Sequence, residues 1–105
     1  MERIELKVGK TVFLVPEFNL MGWNTVAEWS ATNRNEINEA IADSLEKAIP
    51  AGIDKAPVLS VKETGIVLHL DRDSYRESLD RCIAHYLDLE NYERCSRLQG
   101  LRERI

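Results

Sequence analysis

The chain is short of most features that give a small protein an immediate identity. Among its 105 residues are only two cysteines, three prolines and five glycines, and aromatic residues make up 7%. No apolar run approaches the roughly 20 residues needed to cross a bilayer. The first residues alternate charged and apolar side chains instead of placing a basic region before an apolar one. The expectation is therefore no membrane association and a cytoplasmic location. There is no glycine-rich phosphate loop, no His-Glu-x-x-His, no Gly-x-Ser-x-Gly and no Cys-x-x-Cys, so the motifs that announce common chemistries are missing. Charge of one sign is not in large excess either. The formal net charge of −4 argues mildly against nucleic acid as the main partner, because that binding is driven by phosphate neutralisation.

What is present is ordinary for a folded protein. Hydrophobic residues make up 44% and charged residues 30%, far from the composition of disorder. A chain of this length forms one core but sits near the size where stability is marginal without a partner, so self-association is an open expectation.

Periodicity divides the chain into a single α+β domain. Residues 3–15 read as a hairpin: Ile4, Leu6 and Val8 alternate with Arg3, Glu5 and Lys7, Gly9-Lys10 suits a two-residue turn, and Thr11 to Val15 returns until Pro16 ends it. Residues 16–32 are irregular but carry Phe18, Leu20, Met21, Trp23, Val26 and Trp29, with Asn24 or Thr25 placed to cap a short helical turn. A helix follows over 33–49, capped by Asn33 or Asn35 and stopped by Pro50 and Gly52, with Ile37, Ile41, Leu45 and Ala48 on its apolar stripe. Residues 58–70 make a second hairpin. Over 74–101 runs a helix or helix pair that opens on Ser74 and Glu77, the spacing of a capping box. Its stripe of Tyr75, Leu79, Cys82, Tyr86 and Leu89 steps by four, three, four and three. It then drifts through Tyr92, Cys95, Leu98 and Leu101, so the helix either winds its stripe around itself or breaks near Glu90 and Asn91. The order is ββα-ββα, which predicts a four-stranded antiparallel sheet with helices packed on one face and a long C-terminal helix.

Three features are candidates for binding another protein, and a fourth is the candidate for nucleic acid. Trp23 and Trp29 belong to a segment that either folds over an end of the sheet and completes the core or stays partly exposed as an interaction hot spot, where such residue types are enriched. Glu36, Glu39, Asp43 and Glu46 step three, four and three along one helical ridge, a local negative field suited to a basic partner. Tyr92, Leu98 and Leu101 follow the last strand with no later element to cover them, so they must fold back or meet another chain, and the surface for self-association is expected there. Arg94, Arg97, Arg102 and Arg104 form the only local basic cluster and are the residues a nucleic-acid partner would use, although Glu90 and Glu93 stand four residues before Arg94 and Arg97, the favourable order for helix-surface pairs.

Catalytic and metal readings are thinner. Cys82 and His85 fall on one helical side, yet a structural zinc site needs four ligands and the remaining conventional nitrogen and sulfur donors are Cys95 and His69. Asp71 and Asp73 beside His69 make a lone Asp-x-Asp. Neither pattern assigns a catalytic residue, a metal or a cofactor. Cys82 and Cys95 are 13 residues apart, about 20 Å along a continuous helix, which is beyond disulfide reach unless the helix breaks between them. The expectation is a small non-enzymatic protein-binding module, a homodimer or a stoichiometric inhibitor or adaptor of another protein. A nucleic-acid-associated regulator and a small enzyme with a site at a dimer interface are the alternatives.

Overall fold

The computed structural model describes residues 2–19 and 25–105, leaving out the side chain of Val26. Trp23, Leu20, Met21 and Asn24 lie outside the described residues. The elements are strands β1 (Arg3–Val8) and β2 (Thr11–Phe18), helices α1 (Val26–Thr32) and α2 (Arg34–Ala51), strands β3 (Lys55–Val61) and β4 (Ile66–Asp71), a 3-10 turn (Arg72–Ser74), and helices α3 (Tyr75–Asp88) and α4 (Tyr92–Arg102).

The architecture is α+β, with the four strands in the order β1-β2-β3-β4. Both hairpins are antiparallel, but β2 and β3 run parallel, so the sheet is mixed where a wholly antiparallel one was expected. The cause is the connection: a chain that leaves β2, passes through α1 and α2 and re-enters the sheet next door arrives in the same direction. That parallel contact is confined to Glu17 opposite Ser60 and Phe18 opposite Val61. Beyond it the two hairpins splay, and α2 fills the wedge. Ser44 Oγ donates to the Pro57 carbonyl at 2.7 Å and Lys47 Nζ to the Val12 carbonyl at 2.9 Å, so side chains three apart on α2 satisfy strand carbonyls that lack a neighbouring strand. The same splay explains why β2 continues through Pro16 and β3 begins before Pro57, where the sequence suggested breaks. Neither proline takes part in the β2–β3 pairing, so its missing N–H leaves no gap in that ladder.

The helices cover the face that carries Ile4, Leu6, Phe13 and Val15, while Glu5, Lys7 and Leu14 on the other face stay exposed. Two apolar clusters result. The larger joins Phe13 and Val15 to Ala42, Leu45 and Ala48 of α2, Tyr75, Leu79, Cys82 and Tyr86 of α3, and Leu98 and Leu101 of α4. The smaller joins Phe18, Trp29, Ala40, Val58 and Leu59. Trp29, for which the sequence leaves core and surface both open, is only 6% exposed and meets Phe18 edge to face with centroids 5.0 Å apart. It completes the core.

Helix boundaries follow local chemistry to a degree. Thr25 caps α1 by accepting from the Glu28 N–H at 3.0 Å. Gly52, at φ +70°, ends α2 in the left-handed region. The Ser74 capping box does not form. Ser74 is the last residue of the 3-10 turn with helical backbone angles, and its hydroxyl caps nothing. Between α3 and α4 the chain reverses at Glu90, which takes φ +58°, and Asn91 restarts the helix by accepting from the Arg94 N–H at 3.2 Å. The long terminal segment is therefore a helix pair. Leu98 and Leu101, expected on a docking face, are 0% and 9% exposed and belong to the core.

Candidate protein-binding site

The acidic ridge and the terminal arginines, separate surfaces in the sequence, meet in part: Asp43 and Glu46 pair with Arg94 and Arg97. α3 lies against α2 with its end beside the start of α2: the Tyr75 hydroxyl donates to the Ile53 carbonyl at 2.6 Å, just past the end of α2, and the Cys82 thiol to the Asn38 carbonyl at 3.6 Å. α4 then folds back and delivers Arg94 to the ridge. Its Nη2 lies 2.7 Å from Asp43 Oδ1, and its Nε lies 3.2 Å from Glu46 Oε1. The second contact is an ion pair without a hydrogen bond, since the N–H is not aimed at the oxygen. Only 14% of the Arg94 side chain is exposed, and the guanidinium stacks over Tyr86 at 5.3 Å. Burial works against its charge, but the Asp43 hydrogen bond and the Glu46 carboxylate outweigh that, and Arg94 titrates above its ordinary value. Arg97 reaches Glu46 at 3.6 Å and Arg3 reaches Asp43 at 4.0 Å.

Two expectations change as a result. The pairs from Glu90 to Arg94 and from Glu93 to Arg97 do not form, because both arginines turn inward to α2. The basic cluster is not a free patch either: Arg94 and Arg97 serve the ridge, Arg102 is held by Asp80, and Arg104 is the member of the four without an ion pair among the described residues. On the acidic side, Asp43 and Glu46 are neutralised, whereas Glu36 and Glu39 remain exposed and have no ion pair among the described residues. Clefts of about 200 Å³ and 190 Å³ flank Arg3 between α2 and the first hairpin, and Glu36, Glu39, Asp43 and Glu46 contribute to their walls.

Cys82 and His85 stay together on α3, both buried, while Cys95 lies on α4 and His69 on β4. Burial pushes the Cys82 thiol up to about 11, so it is protonated at neutral pH and packs as a small apolar group. The Cys95 thiol donates to the Ile83 carbonyl at 3.5 Å. Among the described residues no three His, Cys, Asp or Glu side chains come together to hold a metal ion, and no helix is long and apolar enough to cross a membrane.

The surface that stands out is the reversal between α3 and α4. Leu87, Leu89 and Tyr92 are 53%, 55% and 62% exposed, and between and beside them run Asp88, Glu90 and Glu93, all exposed. Residues 87–93 read Leu-Asp-Leu-Glu-Asn-Tyr-Glu, with three carboxylates and no base, and none of the three is ion-paired among the described residues. Because the end of α3 lies beside the start of α2, Glu36 and Glu39 extend the acidic field at the same end of the helical layer. Of the side chains singled out from sequence for protein binding, Tyr92, Glu36 and Glu39 are exposed at this end. Trp29, Leu98 and Leu101 are buried, and Asp43 and Glu46 are paired. Sequence reasoning passed over Leu87 and placed Leu89 on the buried stripe. The signal that separates them from the core was Asn91, whose spacing from Arg94 suits a helix cap and so marks a corner just before Tyr92. No family model matches the chain, and no curated protein or solved structure matches it.

Proposed function

We propose that this chain is a small protein-binding module that docks a basic, amphipathic segment of another protein on the α3–α4 corner. The observation that carries this reading is the exposure of Leu87, Leu89 and Tyr92 at 53%, 55% and 62% within a run of carboxylates that have no ion pair among the described residues. Large apolar side chains supply the contact area of an interface, and Tyr is among the residue types enriched at its core. The surrounding acids raise the encounter rate with a cationic partner and disfavour an anionic one. Leu and acid in alternation also give the corner a reason to stay in water until a partner arrives. The neutralisation of Arg94, Arg97 and Arg102 by Asp43, Glu46 and Asp80 supports this reading over a nucleic-acid surface built from the same arginines.

A synthetic amphipathic helix of Lys and Leu, compared with one in which Glu replaces Lys, tests it by backbone amide chemical shifts. The expected outcome is a set of shifts confined to residues 87–93 and the first turns of α2, weakened as salt shortens the range of the charges. Replacing Leu89 and Tyr92 together with Ala is expected to lower the affinity by about tenfold or more. Equal response to the Glu peptide, or shifts centred on another region of the molecule, would count against the corner.

A further inference from the structure

The two outer strands of the sheet differ in a way that the fold does not require. β1 carries Arg3, Glu5 and Lys7 along its exposed face, and charges on an edge strand discourage pairing with another chain. β4, at the opposite edge, reads Ile66-Val67-Leu68-His69-Leu70 before its first formal charge at Asp71. Among the described elements only β3 packs extensively against β4, so no helix covers its free edge. Ile66 and Leu68 are 55% and 47% exposed, although they sit opposite Val61 and Leu59, and Leu70 next along sits opposite the fully buried Ala56. The apolar layer under the helices therefore runs out along β4 beyond its cover.

We infer that β4 pairs antiparallel with β4 of a second copy, about a two-fold axis at Leu68, joining the two sheets into one. The strand is complementary to itself in that register. Ile66 faces the partner's Leu70, Val67 faces the partner's His69, and Leu68 faces its own counterpart, so apolar side chains continue the same layer on both sides of the axis. Asp71 and Arg72 fall opposite the partner's Gly65 and Thr64, and Glu63 and Asp73 lie in turns off the strand. Sliding by two residues one way carries His69 and Leu70 off the partner strand, opposite its Gly65 and Thr64, and the other way sets Ile66 against Arg72 and Val67 against Asp71. Lost strand pairing on one side and Asp71 and Arg72 on the other select the Leu68-centred register, and the strand's complementarity to itself in that register points to a second copy as the occupant. One strand pair buries less than the roughly 1,200 Å² of a strong interface, which makes the association weak and dependent on concentration. This surface is separate from the α3–α4 corner, and the two proposals stand or fall independently.

Sedimentation equilibrium of the full chain from about 5 to 500 µM reads the association directly. The mass is expected to rise towards twice the 12.0 kDa of one chain, and Leu68→Lys and His69→Lys are each expected to hold it at one chain with an unchanged circular dichroism spectrum. Mild oxidation at high concentration reads the register. Leu68→Cys should yield a covalent dimer, because paired residues bring their Cα atoms within about 5.5 Å, while Ile66→Cys and the unaltered chain should not. A chain that stays monomeric throughout overturns the inference, as does a dimer that survives both lysine changes. Equal cross-linking at positions 66 and 68 overturns the Leu68-centred register. A dimer that persists when Leu89 and Tyr92 are both replaced by Ala agrees with it, and loss of the dimer in that variant would move the interface to the corner.

Discussion

The inner side of α4 and the corner that precedes it are built from the same kinds of residue and end in opposite environments. Leu98 and Leu101 are 0% and 9% exposed, whereas Leu87 and Leu89, barely ten residues earlier in the same helical region, are 53% and 55% exposed. Composition does not separate them; the reversal at Glu90 and Asn91 does. By turning the chain back along α3, it carries Leu98 and Leu101 to the core and leaves the residues at the turn itself outside. The acidic ridge divides in the same way. Asp43 and Glu46 lie under the returning helix and receive Arg94, while Glu36 and Glu39 lie past its reach. Burial and charge neutralisation are both consequences of where one turn falls.

The largest effect that would break this comparison is in the core. Leu98→Ala is expected to cost about 3–4 kcal/mol, the transfer loss plus the cavity left behind, whereas Leu89→Ala should change stability by no more than about 0.5 kcal/mol. Urea unfolding of the two variants measures this, and similar losses at both positions would erase the distinction between inside and corner.

A second test uses proton binding on the buried side. Cys82 has its pKa raised from 9.0 to about 11 in the folded chain by burial, so the folded state holds that proton more tightly than the unfolded state. Its contribution is present in full below pH 9 and is lost between pH 9 and 11, where the unfolded thiol ionises first. The loss should reach about 2–3 kcal/mol. Burial also raises the pKa of Tyr75 and Tyr86, which extends the decline in the same direction at higher pH. Cys82→Ala should flatten the stretch of the profile just above pH 9, and an unaltered slope there would argue that the thiol is not buried as described.

The smallest effect concerns the turn. Glu90 occupies the left-handed region at φ +58°, where a side chain carries a steric cost that glycine avoids. Glu90→Gly is expected to raise stability by about 0.5–1 kcal/mol without moving α4. A destabilised variant would mean that the Glu90 side chain itself holds the corner.

Much of the fold was legible because local pattern and tertiary outcome agree. Ile4, Leu6 and Val8 alternate and are the inner face of β1. Tyr75, Leu79, Cys82 and Tyr86 recur at helical spacing and are all buried. Gly52 ends its helix as read, although Pro50, read with it as a stop, lies inside α2, which runs to Ala51. The misreadings have a common origin in that pairing partners are not written locally. Pro16 and Pro57 looked like strand ends because a missing N–H matters only where a neighbour would accept it, and the splay between β2 and β3 removes that neighbour. Ser74 and Glu77 have capping-box spacing, but the 3-10 turn gives Ser74 a backbone that does not direct its hydroxyl at the free N–H groups. The candidate site was legible in Tyr92, Glu36 and Glu39 and hidden in Leu87 and Leu89, since a stripe at helical spacing does not say where its cover stops.

By itself the sequence determined the α+β class, the order of the strands and helices, and the inward faces of β1 and of α3 as far as Tyr86, because these rest on periodicities of two and about 3.6 residues and on turn chemistry within a few positions. Only the tertiary structure decided that β2 and β3 run parallel, that Arg94 is spent on Asp43 and Glu46, and that, among the described residues, the carboxylates of residues 87–93 have no ion pair and no helix covers the edge of β4. Those outcomes depend on which elements meet across long stretches of chain, and neither the sign of a charge nor the size of an apolar side chain specifies its distant neighbour.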